Sequence, residues 1–153
     1  MSNNAGTEDC FVVEGKMALP NTYFAGRLGS KFIISLRDDH KIMGVKCNSC
    51  NKVYVPPREY CERCMEKLDE NWVSVSNEGV ITNFTVVGYN SRHLPRSAPY
   101  ILAMIKVDGA DTPFVHIVEG IDPAEVAIGM RVKAVFASET TNTLRDIDHF
   151  GPL

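Results

Sequence analysis

Two cysteine pairs, Cys47-x-x-Cys50 and Cys61-x-x-Cys64, separated by ten residues, constrain this chain more than any other feature. Two CxxC turns at that separation can aim four sulfurs at one point and close a tetrahedral thiolate cage around a metal ion, zinc first. Between them, Lys52-Val-Tyr-Val-Pro-Pro57 reads as a short strand and a stiff reversal that returns the second pair to the first. That is the layout of a zinc ribbon. A disulfide or redox reading would need an oxidising compartment or a thioredoxin-like βαβ setting, and the sequence shows neither.

Four thiolates leave no open coordination position, so the site reads as structural and not catalytic. Polar residues fill the x positions (Asn48, Ser49, Glu62, Arg63), leaving backbone N–H groups available to the sulfurs. Four thiolates on Zn²⁺ carry a formal charge of about −2. Lys46, Lys52, Arg58 and Arg63 are therefore useful neighbours; charge compensation explains them more simply than nucleic-acid contact. Cys10 has no CxxC partner and reads as a spare thiol.

The chain of 153 residues has 44% hydrophobic and 23% charged residues, ordinary for a globular protein. A net charge of −3 and a pI near 5.8 give no electrostatic footprint for nucleic acid. No apolar run approaches the ~20 residues that span a bilayer. The polar, acidic start Met1-Ser-Asn-Asn-Ala-Gly-Thr-Glu-Asp is unlike a signal peptide, which makes a cytoplasmic setting the expectation.

Three segments follow along the chain: an arm and helical prefix over 1–40, the ribbon over 41–70, and a β-rich domain over 71–153. In the prefix, Asn21 can cap a short helix through Tyr23, Phe24 and Leu28 that ends at Gly29. Ser30 can cap a second from Lys31 to about Asp39, with Phe32, Ile33 and Leu36 as its stripe. Such a prefix can cover its own module's core or dock on a partner, and the sequence does not choose.

Lys41–Lys46 reads as a strand leading into the ribbon, and Met65–Glu70 as a charged connector. From Trp72 onward the pattern is strands. Val80, Thr82, Phe84 and Val86 share one face, with Asn83 and Thr85 on the other. Tyr100–Val107 is continuously apolar, as in a central strand, and Thr112–Glu119 returns beside it. A turn or single helical turn over Ile121–Gly129 precedes an alternating run, Met130, Val132, Ala134 and Phe136. A last strand falls around Leu144–Phe150. Five short strands with one small insertion fit a five-stranded OB-fold barrel, so the expected fold is mostly β.

Lys46-Cys-x-x-Cys-x-x-Val-Tyr-Val-Pro-Pro-Arg58 followed by Cys61-x-x-Cys64 resembles the rubredoxin-like zinc ribbon of the acyl-CoA-associated OB-fold proteins. Gly79-Val-Ile-Thr, Pro99-Tyr-Ile-Leu-Ala-Met-Ile, Ile121-Asp-Pro and Ile128-Gly-Met-Arg-Val resemble that family's barrel motifs. Tyr23-Phe-Ala-Gly26 with Leu36-Arg-Asp38 is similar to the helical prefix of members encoded beside thiolases. The similarity runs from about residue 15 to the end. It implies a non-catalytic, zinc-binding accessory subunit of an acyl-CoA thiolase complex. Such a subunit would help enclose a coenzyme A (CoA) ester and form a heteromer with a thiolase-like catalytic chain. Members paired with cleavage of aromatic succinyl-CoA compounds, such as benzoylsuccinyl-CoA, are the narrowest form of that expectation. A hydratase or aldolase subunit is the alternative partner.

The residues themselves show no independent catalytic set. Four of five cysteines belong to the metal site, and His40, His93, His116 and His149 have no nucleophile motif beside them. His116 reads as a structural histidine in a strand. The loop Gly88–Tyr100 carries Arg92, His93 and Arg96 beside Tyr89 and Pro95. Its cationic groups can meet CoA phosphates, since Arg pairs phosphate bidentately; the plainer reading is a solvated loop. Single-stranded nucleic-acid binding is the other-class alternative. Tyr89, Phe84, Tyr100 and Phe114 would then stack bases over Arg92 and Arg96. The acidic pI and the apolar Pro99–Val107 strand weigh against it.

Overall fold

The computed structural model describes residues 15, 22, 24–68, 71–92 and 94–153. Cys10, Asn21, Tyr23 and His93, singled out above, lie outside the described residues. Where two short helices are expected, one continuous helix forms, α1 (Gly26–Asp39). Gly29 and Ser30 are poor helix residues, but they sit inside a stripe of Leu28, Phe32 and Leu36. Packing of that stripe overrides the local stop signal. Phe32 and Leu36 are buried in the main core, and Ile33 packs against it. The helix ends where His40 turns left-handed (φ 50°), its amide donating to Ser35 O. α1 thus covers the module's own core.

β1 (Met43–Lys46) is the middle strand of a small antiparallel sheet, between β2 (Val53–Tyr54) and β3 (Trp72–Ser74). Trp72, the start of the strand-rich half, therefore pairs within the ribbon, opposite Val45. Five strands then close a barrel in the order β4-β5-β6-β8-β7: β4 (Glu78–Val87), β5 (Tyr100–Val107), β6 (Phe114–Val118), β7 (Arg131–Phe136) and β8 (Ile147–Pro152). This is the five-stranded Greek-key closure of an OB-fold. Between β6 and β7, Asp122 caps a single turn, its side chain accepting from Ala124 N at 2.8 Å.

The expected single face Val80, Thr82, Phe84 and Val86 does not survive. A bulge between Ile81 and Asn83 adds one residue to β4. Before it the inward residues are Gly79 and Ile81, opposite Val107 and Ile105. After it Phe84 and Val86 stand opposite Ala103 and Ile101, Phe84 packed against the core and Val86 exposed. A bulge inserts one residue and so exchanges the faces of everything beyond it, which a strict two-residue period cannot express. Along β7 the alternation holds, with Val132 and Ala134 buried and Arg131, Lys133 and Val135 exposed.

Side chains fill the barrel. Ile81, Ile101, Ile105, Val107, Val132, Ile147 and Phe150 are at most 1% exposed. His116 also turns inward, edge-on to Phe114 and Phe150.

Candidate metal centre

The two CxxC pairs sit on knuckles built by the same hydrogen bonds. Cys47 N donates to Lys52 O and Asn51 N to Cys47 O, both at 2.9 Å. In the second, Cys61 N donates to Glu66 O at 2.8 Å and Met65 N to Cys61 O at 2.9 Å. The residue four past each leading cysteine is left-handed, Asn51 at φ 61° and Met65 at φ 55°. Asn suits that backbone; Met carries its steric cost. Leu68, within the expected charged connector, is buried in the ribbon's core with Val45 and Tyr54.

The sulfurs of Cys47, Cys50, Cys61 and Cys64 all lie within 4.8 Å of one another, and those of Cys50 and Cys61 are 3.6 Å apart. A tetrahedral Zn²⁺ with bonds of about 2.3 Å separates its sulfurs by about 3.8 Å. Donor type, number and spacing therefore fit zinc. Cys47 and Cys61 are buried, Cys50 is half-buried and Cys64 is exposed. Crowding drives the thiols apart in acidity. A hydrogen bond from the buried Tyr54 hydroxyl holds Cys61 down to about 6, whereas the contact with Cys50, then burial, pushes Cys64 up to about 12. Four such acids ionise together only with a cation among them.

Around the cage, Cys64 N donates to Cys61 Sγ at 3.4 Å. Ser49 N donates to Glu66 Oε2 at 3.1 Å, and that carboxylate also lies 3.3 Å from Cys47 Sγ. Lys52 and Arg58 both pair with Glu62 and approach the Tyr54 ring to 5.5 Å. Tyr54 and Glu66 are the functional candidates that spacing arguments missed. The signal for Tyr54 was a phenol flanked by two valines in a short strand, because a buried hydroxyl must find a partner.

The loop 88–99 lies on the barrel's flank. Arg92 is exposed. Arg96 is half-buried, with its guanidinium on Glu119 and Asp148, the latter at 2.7 Å. Asp148 is held below the usual carboxylate range by its hydrogen bonds with His149 and then Arg96. The outward residues of β5 and β6 pair as Leu102 with Ile117 and Met104 with Val115. The centre of that face is thus apolar.

Residues 35–67 match the family model of the ChsH2 rubredoxin-like zinc ribbon domain, and residues 72–137 that of the ChsH2 C-terminal OB-fold domain. A DUF35 domain-containing scaffold protein of Methanocaldococcus jannaschii is 32% identical over 101 residues, 66% of this chain and 71% of that one. The chain belongs to the DUF35 family. A DUF35 protein of unknown function from Sulfolobus solfataricus, solved as a crystal structure, matches with a TM-score of 0.59 at 27% identity. That match covers 72% of this chain and 78% of the other. An Ltp2-ChsH2(DUF35) aldolase matches with a TM-score of 0.60 at 21% identity, over 80% and 93% of the two chains, and shows the shared fold. The acyl-CoA-associated resemblance stated above thus agrees with the DUF35 assignment, and the four-cysteine ribbon supports structural zinc. No described helix is long and apolar enough to cross a membrane.

Proposed function

We propose that this DUF35 protein is a zinc-stabilised accessory subunit of an enzyme acting on CoA esters, with a thiolase-like chain as its catalytic partner. The observation that carries the reading is the outer barrel face. An antiparallel strand with one solvated side ordinarily presents polar residues outward; here Leu102, Met104 and Val115 take those places, with Ile117 buried beside them. The barrel interior is filled by its own side chains, so substrate would be handled at a surface completed by another chain. In this reading Cys47, Cys50, Cys61 and Cys64 hold zinc, which cross-links the two knuckles. Arg92 and His93 are the proposed CoA contacts, and Arg96 anchors their loop through Glu119 and Asp148. The ribbon at 41–70 and the domain at 71–153 act as units that share β3, and the setting is cytoplasmic.

An aldolase or hydratase partner is the second reading, favoured by the Ltp2-ChsH2(DUF35) aldolase among the structural neighbours. Cleavage of an aromatic succinyl-CoA ester remains the narrowest form of the first. Single-strand binding draws no support from the face, since an OB-fold reader needs stacked aromatics over basic groups and this one offers aliphatic side chains.

The deciding experiment is recovery of the tagged protein from its native cells, with bound chains identified by mass and zinc quantified. Co-purification of a thiolase with one zinc per chain supports the first reading, and an aldolase or hydratase moves the second forward. Nucleic acid with no enzyme overturns both.

A further inference from the structure

We propose that Tyr54 is a positioning residue for the metal thiolates and that the barrel fixes it in place, so that the ribbon's grip on zinc depends on the barrel. This rests on reading the four cysteines as zinc ligands. Tyr54 is fully buried and belongs to neither knuckle. Its hydroxyl lies 3.2 Å from Cys61 Sγ. A phenol donating to a thiolate withdraws charge from the sulfur and fixes the direction of its lone pair, as the outer hydrogen bonds of metal sites generally do.

The residues on either side of Tyr54 are held by the turn between β5 and β6. Val53 N donates to Asp111 Oδ2 at 2.8 Å, and Asp111 N returns a bond to Val53 O at 2.9 Å. Val55 N donates to Thr112 Oγ1 at 2.9 Å, and that hydroxyl donates to Val55 O at 3.0 Å. Four hydrogen bonds therefore clamp the backbone around one side chain. Successive strand side chains alternate in direction, so a clamp on Val53 and Val55 sets where the Tyr54 ring points. A tyrosine serving only as core filler would need the ring and not the hydroxyl.

The test uses the full zinc-loaded chain, Y54F and T112V. Zinc loss to a chromophoric chelator is timed, and the thiolate-to-metal charge-transfer band is recorded after replacement of zinc by Co²⁺. Y54F should lose zinc about tenfold to a hundredfold faster, with the Co²⁺ band moved to longer wavelength because the sulfur has become a better donor. T112V, which loosens the clamp that directs the ring, should also speed zinc loss and move the band in the same direction by a smaller amount. Y54F matching the wild type in both rate and band overturns the positioning role. Zinc loss from T112V at the wild-type rate overturns the link to the barrel, and T112V remains informative if Y54F does not fold. A wild-type chain purified without metal, and binding neither ion, would instead overturn the ligand reading beneath the proposal.

Discussion

Gly79→Ala should open the barrel at the strand that closes it. Gly79 pairs with Val107 on β5 and with Val132 on β7, so β4 is hemmed in on both sides at this residue. A Cβ here would stand 2.6 Å from Lys106 O, 2.8 Å from Val107 Cα and 3.0 Å from Lys106 C. Carbon contacts settle near 3.5–4.0 Å. All three obstacles are backbone, so no side-chain rotation relieves them, and moving β4 away from β5 strains its pairing with β7. Overpacking costs about 1–3 kcal/mol, and this site belongs at the upper end. The reduced freedom of the unfolded chain returns about 0.4–1 kcal/mol.

The net expectation is a loss of roughly 2–2.6 kcal/mol, or about 4–10 °C in Tm for a chain of this length. Gly88→Ala is the control: nothing lies within 4 Å of its Cβ position, so it should gain about 0.4–1 kcal/mol. Urea unfolding of both zinc-loaded variants measures the difference. Stabilities within about 0.5 kcal/mol of each other, the usual scatter of surface substitutions, would refute the argument that backbone contact at Gly79 sets the barrel's closure.

Met65→Asn should raise stability by about 0.5–1 kcal/mol in the same assay, because Met65 bears a left-handed backbone that Asn51 occupies more easily in the other knuckle. Burial pushes the His116 imidazole below its ordinary range, while Nε2 lies 3.2 Å from Leu144 O and Nδ1 has no hydrogen-bond partner among the described residues. Its folded pKa lies below its unfolded value of about 6.5. The unfolded state therefore binds the proton first, and stability, complete above that pH, falls as pH drops through it towards the folded value. His116→Gln should flatten that part of the stability–pH profile. Val115→Glu, at a half-exposed outward residue of β6, should abolish recovery of the partner enzyme while leaving Tm and zinc content unchanged. Undiminished recovery would return the apolar face to an unremarkable surface.

The metal cage and the barrel were legible from the chain because both are written in spacing. CxxC fixes where the sulfurs go, and apolar runs bounded by turns mark strands whatever their exact register. The errors have one physical origin, which is that packing outranks local signals. Gly29 and Ser30 read as a stop and a cap, yet the Leu28–Phe32–Leu36 stripe carries the helix through them. The bulge in β4 leaves no mark in a hydrophobic pattern, because Ile81 and Phe84 each look well placed until the extra residue is counted. Arg96 pairs with Glu119 and Asp148, which lie 23 and 52 residues away. Long-range ion pairs of that kind have no local signature.

The ribbon and barrel are too interlocked to work as separate beads. The ribbon's own core is small: Val45, Cys47, Tyr54, Cys61 and Leu68, two of them cysteines. So little apolar surface cannot hold a fold alone, which is why the metal and the neighbouring elements matter. One helix reaches both parts, with Leu28 against the ribbon cluster and Phe32 and Leu36 in the barrel core. Lys31 Nζ lies 4.5 Å over the Trp72 ring, tying the helix to β3 as well. Val55 sits in the barrel's core although it follows directly from the ribbon strand β2. A partner that pressed on the outer face of β5 and β6 would therefore bear on the same hairpin whose turn clamps Val53 and Val55. The cysteine cage at one end and the apolar face at the other are joined through that hairpin, and zinc makes the joint stiff. On the proposed reading as an accessory subunit, stiffness is the property worth supplying, because a surface that completes another chain's site must arrive already shaped.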